Sequence, residues 1–284
     1  MRVTAIQMNP GHDKATNLLA AERLIESAVA ADRPDMVVLP EIWTCLGGDR
    51  ATRFAAAEVL GADPNGAYAL IQTLARKHGI FIHGGSIGED GGEKLFNTTV
   101  AFGRDGRELA RYRKIHMFDI TRPDGTGHRE SNTYRAGSEV VTYQAEDLTI
   151  GCAICYDVRF PELFLDLRRR GADVIMLPAA FTLATGKDHW DTLLRARAIE
   201  TQSWLVAPAT WGRHAEPKGP RETYGHSLIC DPWGHVVARA SDGVGFVTAP
   251  IDNRLTARIR RDMPVLEHRR LVPGEPAASA RTAA

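Results

Sequence analysis

Glu41, Lys114 and Cys155 lie far apart in a chain of 284 residues, yet each directly follows a short run of strand-forming residues. Glu41 follows Val37-Val38-Leu39-Pro40, Lys114 follows a run over 108–113, and Cys155 follows one over 148–154. A carboxylate, an ammonium and a thiol are the base, the electrophilic helper and the nucleophile that acyl transfer needs. Cys155 is the pivot of the set. The stretch Ile150 to Leu163 has the pattern of a buried strand, a sharp turn carrying the cysteine, and a helix opening at Phe160-Pro161, because proline suits a first helical turn. Backbone N–H groups at such a turn can bind a developing oxyanion, and positive potential there would favour the thiolate. Singly, each residue has a plainer explanation. Cys155 can be a small buried hydrophobe, Glu41 a helix-start carboxylate, and Lys114 one solvated cation beside Arg111 and Arg113. Ligand sites of α/β sheets lie beyond the carboxyl ends of strands, so strand-end placement is what lets the three converge.

The elements that must position them follow from periodicity and punctuation. Strands are expected at 3–7, 36–39, 80–84, 97–103 and 108–113, with Arg104-Asp105-Gly106 turning the last two into a hairpin. Helices are expected at 13–30 and 68–78, the second closed by Gly79. The stretch 115–137 is expected to be irregular, and loops of that length are usually functional. Strands at 140–144 and 148–154 lead into the cysteine turn. A helix at 160–170, a strand at 173–177 and a helix at 188–202 follow, then strands at 204–208, 223–230, 235–239 and 246–250 and a helix at 253–262. Helices and strands alternate with no dividing linker, which points to one α/β domain over 1–272 with helices covering paired sheets. The tail 273–284 is poor in apolar residues and is expected to be disordered.

Bulk composition narrows the function classes. Lys plus Arg and Asp plus Glu balance at 35 each, which gives no electrostatic reason to expect a nucleic acid or an anionic membrane as partner. No apolar run approaches the roughly 20 residues of a membrane span. The chain opens straight into a strand-like run without a signal-peptide pattern, and its four cysteines make no disulfide framework. A cytoplasmic protein with reduced thiols is expected. Cys152 and Cys155 form a single Cys-x-x-Cys inside an apolar strand pattern, so Cys152 is assigned to the core and no metal is expected.

Leu39-Pro40-Glu41, Tyr112-Arg113-Lys114-Ile115-His116 and Cys155-Tyr156-Asp157-Val158-Arg159-Phe160-Pro161-Glu162-Leu163 resemble, in order and spacing, the three catalytic motifs of the nitrilase superfamily of carbon–nitrogen hydrolases. The resemblance implies a four-layer α-β-β-α sandwich, a homodimer or larger homo-oligomer, and a Glu-Lys-Cys triad with neither metal nor organic cofactor. It makes Glu41 the general base, Cys155 the nucleophile and Lys114 the cation that stabilises the tetrahedral intermediate, with the Tyr156 N–H as second oxyanion donor. Glu130 matches a supporting family carboxylate. The residues after Cys155 resemble the amidase branch that hydrolyses amides of α-keto dicarboxylic acids. In that branch Arg159 would pair with a substrate carboxylate, and Phe181 and Thr185 would line the keto-acid end. The resemblance thus implies a small-molecule amide substrate carrying a carboxylate. Deaminated glutathione, releasing Cys-Gly, is favoured over α-ketoglutaramate by Trp211-Gly212-Arg213-His214 and Tyr224-Gly225-His226-Ser227. Ala215 to Glu222 departs from that pattern inside the loop 211–223, where a larger leaving group would sit. A nitrilase or carbamoyl amino acid hydrolase using the same triad, and a catalytically silent binding protein on the scaffold, are the alternatives.

Overall fold

The computed structural model describes residues 1–121, 127–217 and 219–271; the tail 273–284 expected to be disordered lies outside them. Its helices are α1 (Lys14–Asp32), α2 (Arg50–Ala56), α3 (Ala67–His78), α4 (Pro161–Arg169), α5 (Leu183–Thr201) and α6 (Asn253–Asp262). Asp13 caps α1 by accepting from the Thr16 N–H at 2.8 Å, and Gly79 ends α3 in the left-handed conformation. No described helix is long and apolar enough to cross a membrane.

Two sheets form the body of the molecule. The first runs Gly245–Pro250, Arg2–Gln7, Met36–Val38, Phe81–His83, Phe96–Phe102, with Ile87–Glu89 and Glu108–Arg113 both paired to Phe96–Phe102. The second runs Val236–Arg239, Leu228–Cys230, Trp204–Ala207, Val174–Met176, Leu148–Cys152, Thr142–Ala145. Each has parallel strands at its centre and antiparallel ones outside.

Alternation along the central strands sorts side chains into layers. Val3, Ala5, Met36 and Val38 face the second sheet and join Ile150, Cys152 and Val174 in one core. Ile6, Val37 and Leu39 point the other way and pack with Ile25 of α1 and Ile71 and Leu74 of α3. Leu163 and Phe164 of α4 and Trp190 and Leu194 of α5 cover the outer face of the second sheet. The layers are therefore helix, sheet, sheet, helix, as the resemblance implies.

Helix α2 and the strands Ile87–Glu89 and Trp211–His214 were not expected, and three further stretches differ from expectation. Residues 223–230 are two strands in different sheets, because Gly225 and His226 both take positive φ and break the ladder. Arg221–Tyr224 pairs with Trp211–His214 as a separate hairpin. Helix α5 begins at Leu183, five residues before the expected start, with Gly186 inside it; a Cβ there would lie 2.3 Å from Tyr224 Cβ. The irregular 115–137 contains the paired strands Asp119–Thr121 and Gly127–Arg129 and a 3₁₀ turn, Glu130–Asn132.

Candidate active site

Glu41 and Lys114 leave the first sheet at the same end. Their strands, Met36–Val38 and Glu108–Arg113, run in the same direction, since each step from Phe81–His83 through Phe96–Phe102 to Glu108–Arg113 is antiparallel. The turn after Pro40 is held from below by Gly85 (φ +62°); a Cβ there would meet the Pro40 carbonyl oxygen at 2.0 Å. Cys155 arrives from the second sheet, where Leu148–Cys152 ends and a 3₁₀ turn, Cys155–Arg159, begins. Cys155 itself has φ +45°, a strained conformation for a side chain of its size. Its N–H donates to the Pro178 carbonyl at 2.9 Å.

Asp157 fixes that turn. Fully buried, it accepts from Tyr112 Oη at 2.7 Å, from the Ile154 N–H at 2.8 Å and from the His116 N–H at 3.1 Å, and it contacts His116 Nδ1 at 2.7 Å. Tyr112 and His116 flank Lys114, so one carboxylate locks the cysteine turn of one sheet to the lysine segment of the other.

The three sequence-predicted residues meet, all nearly inaccessible. Lys114 Nζ lies 2.9 Å from Glu41 Oε1, 2.9 Å from Glu130 Oε2 and 3.1 Å from Glu130 Oε1. The Ala180 N–H donates to Glu41 Oε2 at 2.7 Å, and the Phe118 N–H to Glu130 Oε2 at 2.6 Å. Asn97, which sequence reasoning missed, donates from Nδ2 to Glu41 at 2.9 Å and to Glu130 at 3.2 Å. The only sequence signal for it was an amide inside an apolar strand pattern.

Protonation states follow from these contacts. Burial pulls the Glu41 carboxyl upward, but the charge and hydrogen bond of Lys114 outweigh it and hold the group below its ordinary value. Burial would lower Lys114, yet Glu130 and Glu41 together raise it well above its ordinary value. Burial, reinforced by the Glu41 charge, pushes the Cys155 thiol well above its usual value. The expected thiolate is therefore corrected: at neutral pH the trio rests as carboxylate, ammonium and thiol. Cys152 sits in the sheet interface, raised to about 12 by burial.

A cleft opens onto Cys155. Tyr156, Arg159, Phe181 and Thr185 all line it. The Tyr156 N–H has no backbone acceptor among the described residues. Arg159 forms no salt bridge with Asp157 or Glu162, the partners that would have made it structural; its guanidinium carbon lies 5.2 Å from the Phe181 ring centre and its Nη2 3.3 Å from His189 Nδ1. Thr185 Oγ1 shares a hydrogen bond with Thr182 Oγ1 at 2.8 Å. Arg53, His128 and Arg221, absent from the sequence-level site, also line the cleft. A thiol next to a carboxylate base and an ammonium can attack a carbonyl and shelter the resulting oxyanion. Among the described residues no group of His, Cys, Asp and Glu is arranged to hold a metal ion.

Residues 2–261 match the family model described as carbon-nitrogen hydrolase. The chain belongs to that family. Over 272 residues this hydrolase is 40% identical to the deaminated glutathione amidase of Synechocystis sp. (strain PCC 6803 / GT-S), spanning 93% of this chain and 96% of that one. It is 35% identical to the omega-amidase NIT2 of Danio rerio, over 95% of this chain and 94% of the other. Saccharomyces cerevisiae Nit3, described as a member of branch 10 of the nitrilase superfamily, superposes with a TM-score of 0.84 at 30% identity, covering 95% of this hydrolase and 97% of Nit3.

Proposed function

We propose that the protein is a cysteine amidase that hydrolyses the ω-amide of a keto-dicarboxylic acid through a thioester on Cys155, with deaminated glutathione as the substrate. The observation that carries this reading is the buried Lys114 held between Glu41 and Glu130 beside the Cys155 thiol.

In this mechanism the Cys155 proton passes to Glu41 as sulfur bonds to the amide carbon. The thiol is raised and the carboxyl lowered, so the transfer is uphill at rest and proceeds only with attack on the carbonyl. Negative charge then leaves Glu41 and appears on the carbonyl oxygen, and the pocket's net charge does not change. Lys114, which balanced Glu41 before attack, balances the oxyanion afterwards, with the Tyr156 N–H as second donor. Protonated Glu41 next gives its proton to the departing amine nitrogen as the C–N bond breaks. A water that surrenders a proton to Glu41 attacks the thioester, and collapse returns that proton to Cys155 sulfur. Glu130 holds Lys114 in place. Arg159 faces the substrate's carboxylate above Phe181, with Thr185 nearby; a planar guanidinium suits a carboxylate.

Homodimeric assembly and a cytoplasmic location belong to the same proposal, as does a domain spanning 1–272. The second reading, an ω-amidase acting on α-ketoglutaramate, shares every one of these contacts and is motivated by the omega-amidase relative. Initial rates on the two substrates separate them, and a strong preference for α-ketoglutaramate sinks the first. Mass spectrometry of quenched reactions should find an acyl adduct on Cys155, and Cys155→Ala should lose on the order of 10⁵-fold in kcat or more. Unchanged turnover in that variant would end the cysteine mechanism.

A further inference from the structure

Two guanidinium groups in the cleft have no carboxylate within salt-bridge distance among the described residues: Arg159 and Arg221. Arg53, the third, is paired with Glu216 at 3.1 Å. Arg221 Nη2 donates to the Ala180 carbonyl at 2.7 Å, while its Nε is buried without an acceptor. A buried, charged donor left unfilled is costly, and such groups in a cleft mark where a ligand completes the hydrogen bonding.

The two arginines have different neighbours in the cleft. Arg159 lies over the ring of Phe181 and 5.9 Å from the Tyr156 ring centre. Arg221 binds the carbonyl of Ala180, whose N–H donates to Glu41, and its charge contributes to keeping Glu41 ionised. Arg221 is thus on the side of the proton carrier. The departing nitrogen must face Glu41 to receive its proton, so whatever is attached to that nitrogen extends toward Arg221. His128 does not supply the charge there, because burial lowers it to about 4 and leaves it neutral near pH 7.

We infer that Arg221 is an anion subsite for the leaving group, so that the protein takes amides carrying a carboxylate at each end, one on the acyl part and one on the departing amine. The inference deepens, and rests on, the amidase function proposed for the site. The loop bearing Arg221 is anchored for this task. The Gly48 N–H donates to the Ala215 carbonyl at 2.8 Å, Arg53 pairs with Glu216, and Arg221–Tyr224 is laddered to Trp211–His214.

The test compares kcat/KM for deaminated glutathione with that for its C-terminal carboxamide, which removes only the leaving-group charge. The wild-type protein should prefer the acid by roughly ten- to a hundredfold, mainly through KM, the effect of one charge-assisted hydrogen-bond set. Arg221→Gln should bring that ratio close to one, Arg221→Lys should restore part of it, and Arg159→Gln should keep it while slowing both substrates. A wild-type ratio near one, or an unchanged ratio in Arg221→Gln with both rates falling together, overturns the subsite and leaves Arg221 as a support for Ala180. If the wild-type protein hydrolyses neither compound, the amidase reading fails, and calorimetric titration of both into Cys155→Ala decides the subsite alone. Tighter binding of the acid that Arg221→Gln abolishes upholds it; equal affinities reject it.

Discussion

Asn97 shows how the charge cluster is kept ionised away from water. Lys114 brings one positive charge to two carboxylates, and its ammonium has only three protons to offer. The excess negative charge is spread over neutral donors: Asn97 Nδ2 on both acids, the Ala180 N–H on Glu41 and the Phe118 N–H on Glu130. Asn97→Leu keeps the γ-branching and, among the described residues, removes the only neutral donor that the two acids share. It should cost about 1–3 kcal/mol, the usual penalty of unfilled buried acceptors. It should also lower kcat tenfold or more with little change in KM, because Asn97 acts through Glu41 and not on the substrate. Urea unfolding with steady-state kinetics checks both, and a change confined to KM would rule this role out. At this scale the sequence exposed the residues that end strands and carry a motif. Asn97 was hidden because a polar residue near a strand end equally suits a solvent-facing position. Arg221 was hidden because no periodicity in a stretch with Pro217, Gly219 and Pro220 says which side chain turns inward. The thiol state of Cys155 was illegible for another reason: it depends on Glu41, 114 positions away in the chain, being its neighbour in space.

Helix α5 and the Trp211–His214/Arg221–Tyr224 hairpin form the wall that carries Thr185 and Arg221, with Phe181 just ahead of the helix, and their spacing is set by Gly186. A Cβ at that position would approach Tyr224 Cβ at 2.3 Å and Cγ at 2.5 Å, inside any tolerable contact. Alanine normally favours a helix interior over glycine by about 1 kcal/mol, so propensity alone predicts a gain from Gly186→Ala. The packing predicts the opposite, a loss of about 1–3 kcal/mol from overpacking. It also predicts a raised KM as the hairpin is pushed from the helix. Denaturant midpoints and KM measured together decide between propensity and packing. The same glycine explains why α5 starts earlier than its sequence pattern announces. Thr182 to Gly186 looks like a loop because glycine and small polar residues usually punctuate, and the tertiary contact that makes a helical glycine worthwhile is invisible along the chain. The single strand expected over 223–230 failed in a related way. Strand-forming residues stand on both sides of Gly225-His226-Ser227, but Gly225 and His226 turn the backbone left-handed and send the two halves to different sheets. Met36–Val38, Glu108–Arg113 and α6 were legible because their periodicity and their stops, Pro40, Lys114-to-loop and Pro264, agree.

Across the whole molecule, two histidines sit where layers join. His83 of the first sheet meets Tyr143 of the second, Nδ1 to Oη at 3.1 Å, with the rings stacked 6.1 Å apart and 19° from parallel. His214 links the Pro10 carbonyl to Thr223 Oγ1, each at 2.8 Å, and so ties the N-terminal segment to the site hairpin. Both are buried, at 0% and 1% exposure, and burial lowers them from 6.5 to about 3 for His83 and about 4 for His214. The unfolded chain, with ordinary imidazoles, takes up these protons first as the solution is acidified. Proton uptake by the unfolded state pulls the equilibrium toward it, so stability falls as pH drops from 6.5 toward 4, by up to about 3 kcal/mol for each histidine. Lys114 acts at the other extreme. Its folded value is raised, so the stability it contributes is complete below 10.5 and is lost only as pH climbs through that higher folded value. Between those limits Glu41 and Lys114 should each keep one protonation state. Urea titrations at half-unit steps from pH 7 to pH 4 should give a declining unfolding free energy with a slope approaching two protons, and His214→Gln should reduce that slope by about one. A flat profile over this range, or one that His214→Gln leaves unaltered, would mean that these imidazoles take up protons without unfolding the layers they join.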